Sequence, residues 1–218
     1  MKVLILGATG RTGKLLLHQA LERGLEVRAI VRDKTKVKAT SEKLELIEGD
    51  VCDEALLNEA LMGCEAVLSC LNISRTSDFP WAPLRTPEDF LSRMMEALVA
   101  AMDRQGVQRV IITSAWGVGD SRVEIPWWFR WVIDHSNVGK AYAQHELQER
   151  LLRESKMDYT CVRPVGLTNA NKLKTLVVSK AKSPKPGLLI SRRHTAKFML
   201  DSLEEGTYVK DLPVISEK

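Results

Sequence analysis

Gly7, Gly10 and Gly13, in the run Gly7-Ala8-Thr9-Gly10-Arg11-Thr12-Gly13, are the residues whose type and spacing point most directly to chemistry. Lacking side chains, they permit a tight turn, close approach of the backbone to a phosphate, and tight packing of a helix on a strand. Free amides at a helix start then donate to an anion. A glycine triplet alone is weak evidence, because a tight turn that binds nothing uses the same residues. Position decides between the two. The run follows the apolar segment Lys2 to Leu6 and opens an amphipathic segment, where a dinucleotide's pyrophosphate would rest near Gly10 to Thr12.

The type of dinucleotide is read from the end of the next apolar segment, Val31-Arg32-Asp33. An acid at that point bonds the ribose 2′-hydroxyl of NAD, whereas Arg32 suits the 2′-phosphate of NADP. Arg11 offers a second guanidinium, and arginine pairs with phosphate oxygens through two parallel bonds. Asp33 argues the other way, so NADP(H) is the expected cofactor and NAD the less favoured one.

These residues need a parallel sheet to hold them. Lys2–Leu6, Glu26–Val31, Leu44–Glu48, Ala66–Cys70, Val107–Thr113 and Tyr159–Arg163 read as buried strands, with helices over 12–23, 53–62, 88–105 and 138–154. The βαβ rhythm predicts an α/β fold of the Rossmann type, a doubly wound and mostly parallel sheet with helices on both faces. Pro80 to Pro87 and Ala115 to Pro126 read as irregular. The tail reads as a strand at 188–190, a helix at 192–203 and a strand at 208–215. With no linker or repeat, residues 1–218 are expected to form one NAD(P)-binding domain whose C-terminal part helps to shape the substrate pocket.

Composition narrows the function classes. The 218 residues are 44% hydrophobic and 28% charged, ordinary for a protein with a sizeable core. The net charge of +4 is too weak and too dispersed to imply nucleic acid, and Lys34, Lys36, Lys38, Lys172, Lys174, Lys180, Lys182 and Lys185 read as solvated surface. Cys52, Cys64, Cys70 and Cys161 lack metal-ligand or redox-pair spacing and read as reduced thiols, with no metal expected. No apolar run reaches the length of a membrane helix, so no membrane partner and a cytoplasmic location are expected.

With those residues in place, the chain resembles the atypical short-chain dehydrogenase/reductases of the NAD(P)H-binding, NmrA-like group, which includes biliverdin reductase B-type flavin reductases. The likeness runs through the glycine loop, Val31-Arg32-Asp33, Gly49-Asp50-Val51, Ser69-Cys70-Leu71, Ile112-Thr113-Ser114-Ala115 and Leu152-Arg153-Glu154-Ser155 on to Val162-Arg163-Pro164. It implies that Asp50 and Val51 lie against the adenine and that Cys70 and Leu71 line the nucleotide's path. It also implies that Ser114 faces nicotinamide and substrate, with Arg163 and Pro164 shaping the nicotinamide pocket. Thr9 and Thr12 belong to the cofactor loop.

The departures from that pattern are informative. Fully equipped members carry a Tyr-x-x-x-Lys pair in which lysine helps tyrosine pass a proton. Here the two positions fall on Ala141 and His145, and Tyr142 is followed four residues later by Glu146. His145 becomes the candidate proton donor, since imidazole titrates near neutral pH; the alternative is a solvent-facing helix histidine. A flavin or quinone can take its proton from water, so the missing pair favours reduction of such a planar acceptor. Trp127, Trp128, Phe129 and Trp131 either stack on that ring or bury themselves in a lid, core or dimer contact. The competing expectation, equally compatible with the missing pair, is a regulator that senses NADP(H) without turnover. Either a monomer or a homodimer fits.

Overall fold

The computed structural model describes residues 1–181 and 183–218; Lys182, one of the lysines read as surface, lies outside the described residues. Among the described residues, ten strands and six α-helices follow in the order β1 (Lys2–Leu6), α1 (Arg11–Glu22), β2 (Glu26–Val31), β3 (Leu44–Glu48), α2 (Glu54–Leu61), β4 (Ala66–Ser69), α3 (Phe90–Gln105), β5 (Arg109–Thr113), α4 (Trp127–Asp134), α5 (Val138–Glu154), β6 (Asp158–Pro164), β7 (Gly166–Thr168), β8 (Leu176–Ser179), β9 (Leu189–Ser191), α6 (Arg192–Glu204) and β10 (Val214–Glu217).

The main sheet runs β3-β2-β1-β4-β5-β6-β10-β8, and β7 pairs with β9 in a separate two-stranded ribbon. Every ladder of the main sheet is parallel except β10 with β8. The chain moves outward from β1 to β3, then crosses back to β4 and outward again. This reversal opens a crevice at the carboxyl ends of β1 and β4, where open α/β sheets bind ligands.

Strand alternation builds the core on both faces. On β1, Val3 and Ile5 enter one apolar cluster while Leu4 and Leu6 enter the other, and all four are fully buried. Helices α1 and α6 pack together over the first face, with Leu16, Ala20, Ala196 and Leu200 inside. Helices α2, α3 and α5 cover the second, through Leu57, Met94, Leu98 and Leu152. Helix ends follow local chemistry: Asp53 caps α2 by accepting from the Ala55 and Leu56 amides, and Gly106 ends α3 at φ 68°.

Four elements differ from the reading of the sequence. The tryptophan-rich run folds as α4, β7 and β8 are additional short strands, and the last strand begins at Val214 instead of Tyr208. Tyr208 and Lys210 both sit at positive φ, which breaks any extended run through 208–213. Among the lysines read as surface, Lys36 and Lys180 are exposed and form ion pairs with Asp33 and Asp211. Among the described residues no helix is long and apolar enough to cross a membrane.

Candidate functional site

The crevice at the carboxyl edge of the sheet is a groove of about 530 Å³. Its floor passes from Arg32, Asp50 and Val51 at the ends of β2 and β3, under the glycine loop, to Ser114 and Pro164 at the ends of β5 and β6. The β2/β3 side, where the adenosine is expected, is the adenosine half, and the β5/β6 side, where the nicotinamide is expected, is the reacting half.

The loop is built for close approach. Gly7 adopts φ +82°, and a Cβ there would stand 3.0 Å from the Cys70 carbonyl carbon. The Gly10 amide closes the turn on the Gly7 carbonyl at 2.9 Å. A Cβ on Gly13 would drive into that same carbonyl oxygen, so Gly13 lies beneath the groove and acts through packing. Gly10 is the N-cap of α1 and no side chain caps the helix. The first-turn amides are therefore left for an outside acceptor, as a pyrophosphate cradle requires. Thr9, Arg11 and Thr12 line the groove beside it.

In the adenosine half, Arg32 is exposed and lines the groove. Asp33 turns away: its carboxylate accepts from the Thr35 amide at 3.0 Å and the Thr35 hydroxyl at 2.5 Å, capping the short 3-10 turn Lys34–Lys36. These bonds hold its pKa below the usual carboxylate value. The acid that spoke for NAD is thus engaged elsewhere. Val51 is buried, and Asp50 accepts from the Cys52 amide at 3.0 Å.

At the ends of β5 and β6, Ser114 and the polar side chains packed around it are committed inward. The Ser114 hydroxyl, 5% exposed, donates to Glu149 Oε1 at 2.7 Å. Glu149 in turn receives a two-pronged contact from Arg163, with Nε to Oε1 at 2.9 Å and Nη2 to Oε2 at 2.6 Å, both residues being 2% exposed. Burial alone would lower the Arg163 pKa, but the bonds to Glu149 and Asp120 outweigh it and push it further up. Tyr142 donates to the Trp116 carbonyl at 3.1 Å, and burial raises its pKa.

His145 is 2% exposed, so the solvent-facing alternative is excluded. It lines the groove between Asn72 Oδ1, 3.1 Å from Nε2, and Gln148 Nε2, 3.0 Å from Nδ1. An amide nitrogen only donates, which makes Nδ1 the acceptor and places the ring proton on Nε2 toward Asn72. Burial pushes the imidazole down to about 4. The near-neutral titration expected of it as a proton donor is absent because the ring is desolvated without an acidic partner.

Of the residues singled out in the sequence, Gly7, Thr9, Gly10, Arg11, Thr12, Arg32, Asp50, Val51, Cys70, Leu71, Ser114, His145 and Pro164 share this groove, and Gly13 supports it. Burial raises the Cys70 thiol to about 12, so it lines the groove as a neutral group. Arg163 does not line it: two-residue alternation along β6 sends its side chain to the α5 face. Arg11 does line it, but its fork is held by Asp78 at 2.9 and 2.8 Å.

Trp127, Trp128, Phe129 and Trp131 also stay outside the groove, with Trp127 74% exposed and Phe129 edge-on to Tyr142. The aromatic ring in the groove is Phe90. Sequence reasoning missed Asn72, Ser74, Arg75, Asp78, Arg85 and Arg192, most of them on the proline-bearing segment after β4, whose irregular pattern carried no signal beyond its arginines.

A family model described as NAD(P)H-binding matches residues 7–206. The chain is 30% identical over 175 residues to a chloroplastic protein of Arabidopsis thaliana named only as uncharacterized, a match covering 77% of this chain and 60% of that one. It is 26% identical over 178 residues to an oxidoreductase of Pestalotiopsis microspora, covering 75% and 66%. The chain therefore spans 60% to 66% of the length of these relatives. Among solved structures, a short-chain dehydrogenase/reductase of Veillonella parvula in complex with NADP superposes with TM-score 0.82 at 21% identity, over 99% of this chain and 94% of that one. An anaerobillin reductase of Escherichia coli O157:H7 superposes with TM-score 0.80 at 18% identity, over 100% and 97%. At such identities the superpositions speak to the Rossmann-like fold.

Proposed function

The chain belongs to the NAD(P)H-binding family, and from that premise we propose that it is an NADPH-dependent reductase passing hydride to a planar acceptor such as a flavin or a quinone. The observation that carries the choice of acceptor is that the candidate proton donors Ser114 and His145, and the neighbouring Tyr142, are each committed to a partner within the protein. Ser114 donates to Glu149, Tyr142 to the Trp116 carbonyl, and neutral His145 to Asn72. A ketone needs a donor on its oxygen as hydride arrives. A flavin or quinone ring delocalises the incoming charge and takes its proton from water.

Bound NADPH would supply the hydride, two electrons and one hydrogen, from its nicotinamide ring. The protein's share is binding and orientation. The free amides of α1 and the turn at Gly7 suit the pyrophosphate, and Arg32, with Asp33 turned away, suits the 2′-phosphate. Glu149 holds the Ser114 hydrogen and leaves that oxygen's lone pairs available as an acceptor for an N–H group, such as a carboxamide or a flavin imide. Phe90 and Leu71 add apolar surface for a ring.

The test is to titrate the purified protein with NADPH and NADH by nicotinamide fluorescence, then add FMN, FAD and small quinones and follow loss of NADPH absorbance. Acceptor-dependent oxidation with NADPH preferred supports the reading. Tight NADPH binding with no acceptor turned over replaces it with cofactor sensing, and no binding at all removes it.

A further inference from the structure

We propose that the reacting half of the groove contains an anion subsite, formed by Arg75, Arg85 and Arg192 beside Arg11, that receives a carboxylate, sulfonate or phosphate group carried by the acceptor. The proposal deepens the reductase reading and rests on it for the identity of the occupant as acceptor.

The two halves of the groove differ in charge. The adenosine half sets Arg32 against Asp50, and the pyrophosphate has backbone amides to meet it. The other half presents Arg11, Arg75, Arg85 and Arg192 against Asp78 alone. Arg75 and Arg85 stand on an arm after β4, a narrow antiparallel pair in which the Thr76 amide bonds the Pro83 carbonyl at 3.0 Å and the Arg85 amide bonds the Ser74 carbonyl at 2.8 Å. Arg192 opens α6 and is anchored through Nη1 alone, to Asn169 Oδ1 at 2.7 Å and the Leu167 carbonyl at 3.3 Å.

These guanidiniums hold unused donors. Arg75 makes no side-chain hydrogen bond among the described residues, and its Nε is shielded from solvent without a partner, as is the neighbouring Ser74 hydroxyl oxygen. Arg85 uses only Nη2, to the Thr76 carbonyl at 3.3 Å. A buried donor without a partner is costly, and an anionic ligand relieves that cost.

Asp78 shows what the cluster accepts. Its carboxylate takes both prongs of Arg11, and Arg192 and Arg75 lie close enough to add to the lowering of its pKa. Yet the Asp78 side chain is 79% exposed, so an incoming anion can displace it with little loss of burial. The chain's own carboxylate thus occupies the edge of a basic cluster whose other arginines form no ion pair among the described residues. A planar acceptor with a peripheral negative charge fits there with its ring toward Ser114 and Phe90.

The test compares naphthoquinone with its sulfonate, which share a ring and differ in charge. Binding of each to the NADP⁺-loaded protein is measured by equilibrium dialysis, and kcat/KM of each with NADPH, for wild type and for Arg75→Gln with Arg85→Gln. Two partly exposed arginines together amount to about a tenfold preference for the sulfonate. That preference is expected to shrink toward parity in the double variant and in high salt.

Equal binding of both quinones to wild type overturns the proposal. So does a double variant that keeps the preference but loses NADPH affinity, which assigns the arginines to the cofactor. If the double variant does not fold, Arg85→Gln alone is read the same way, with about half the effect on a logarithmic scale. Failure of both quinones to oxidise NADPH defeats the reductase reading, whereas the sulfonate preference on the NADP⁺ complex still decides the subsite.

Discussion

Lowering the pH should destabilise this protein through His145, and the size of the effect follows from its burial. The imidazole titrates at about 4 in the folded chain and at about 6.5 when unfolded. Between those values the unfolded state binds the proton and the native state does not, so stability falls as pH drops below about 6.5 and levels off below about 4. By pH 5 the unfolded state is favoured by about 1.5 pH units of proton binding, or about 2 kcal/mol. For a chain of this size that lowers Tm by roughly 4–8 °C. Carboxylates also contribute in this range, so the assay compares wild type with His145→Gln, which cannot titrate, by thermal unfolding from pH 7.5 to pH 5. The two curves should converge by about 2 kcal/mol as pH falls. Parallel curves would show that the ring titrates alike in both states and would refute the account of a desolvated, neutral His145. In turnover, the same reasoning predicts no His145 inflection near neutral pH.

Arg32→Ala should raise the Kd for NADPH about tenfold, the low end for a charge-assisted contact because the site is exposed, and should leave NADH nearly unaffected; equal losses for both cofactors, read by fluorescence titration, would remove Arg32 from the 2′-phosphate. Gly13→Ala must push the Gly7 carbonyl aside, costing about 1–3 kcal/mol in denaturant unfolding and weakening both cofactors alike; an unchanged Kd would show that the loop tolerates the shift. Glu149→Ala takes from the buried Arg163 its buried partner, leaves it only the exposed Asp120, and should cost about 3 kcal/mol, while Glu149→Gln keeps a partner for Ser114 and should be milder; comparable midpoints for the two variants in urea would contradict the ion-pair account.

The nucleotide half of the molecule was legible in the sequence because its signals are local. Strands β1 to β4 are short apolar runs, the first three closed by glycine or by a charged pair, and their boundaries match to within a residue. The glycine loop, Arg32, Asp50 and Val51 all follow directly from strand ends. What escaped is decided by distant partners. Nothing near Leu176–Ser179 announces a strand whose only neighbour is β10, and the aromatic run of α4 lacks a simple apolar stripe because Trp127, Trp128 and Trp131 face outward. Arg163 was placed correctly along β6 but on the wrong face, and His145 was placed correctly on α5 without its burial. Both errors concern side-chain surroundings, set by the approach of α5 to the sheet. The arm bearing Arg75 and Arg85 has no repeating pattern to read.

Strand β10 sits inside the sheet, between β6 and β8, although it follows both of them, and β9 and α6 as well, in the chain. The ladder amides of β8 have no other strand to bond, so they wait unpaired through the synthesis of β9 and α6. The order of assembly is therefore imposed by topology. The nucleotide side can zip together from neighbours close in sequence, while the far edge closes only on arrival of a segment some tens of residues downstream, the slower kind of pairing. Until then the edge of β6 is an open template, and Pro164, which lacks an amide hydrogen, stands at the rim of that edge.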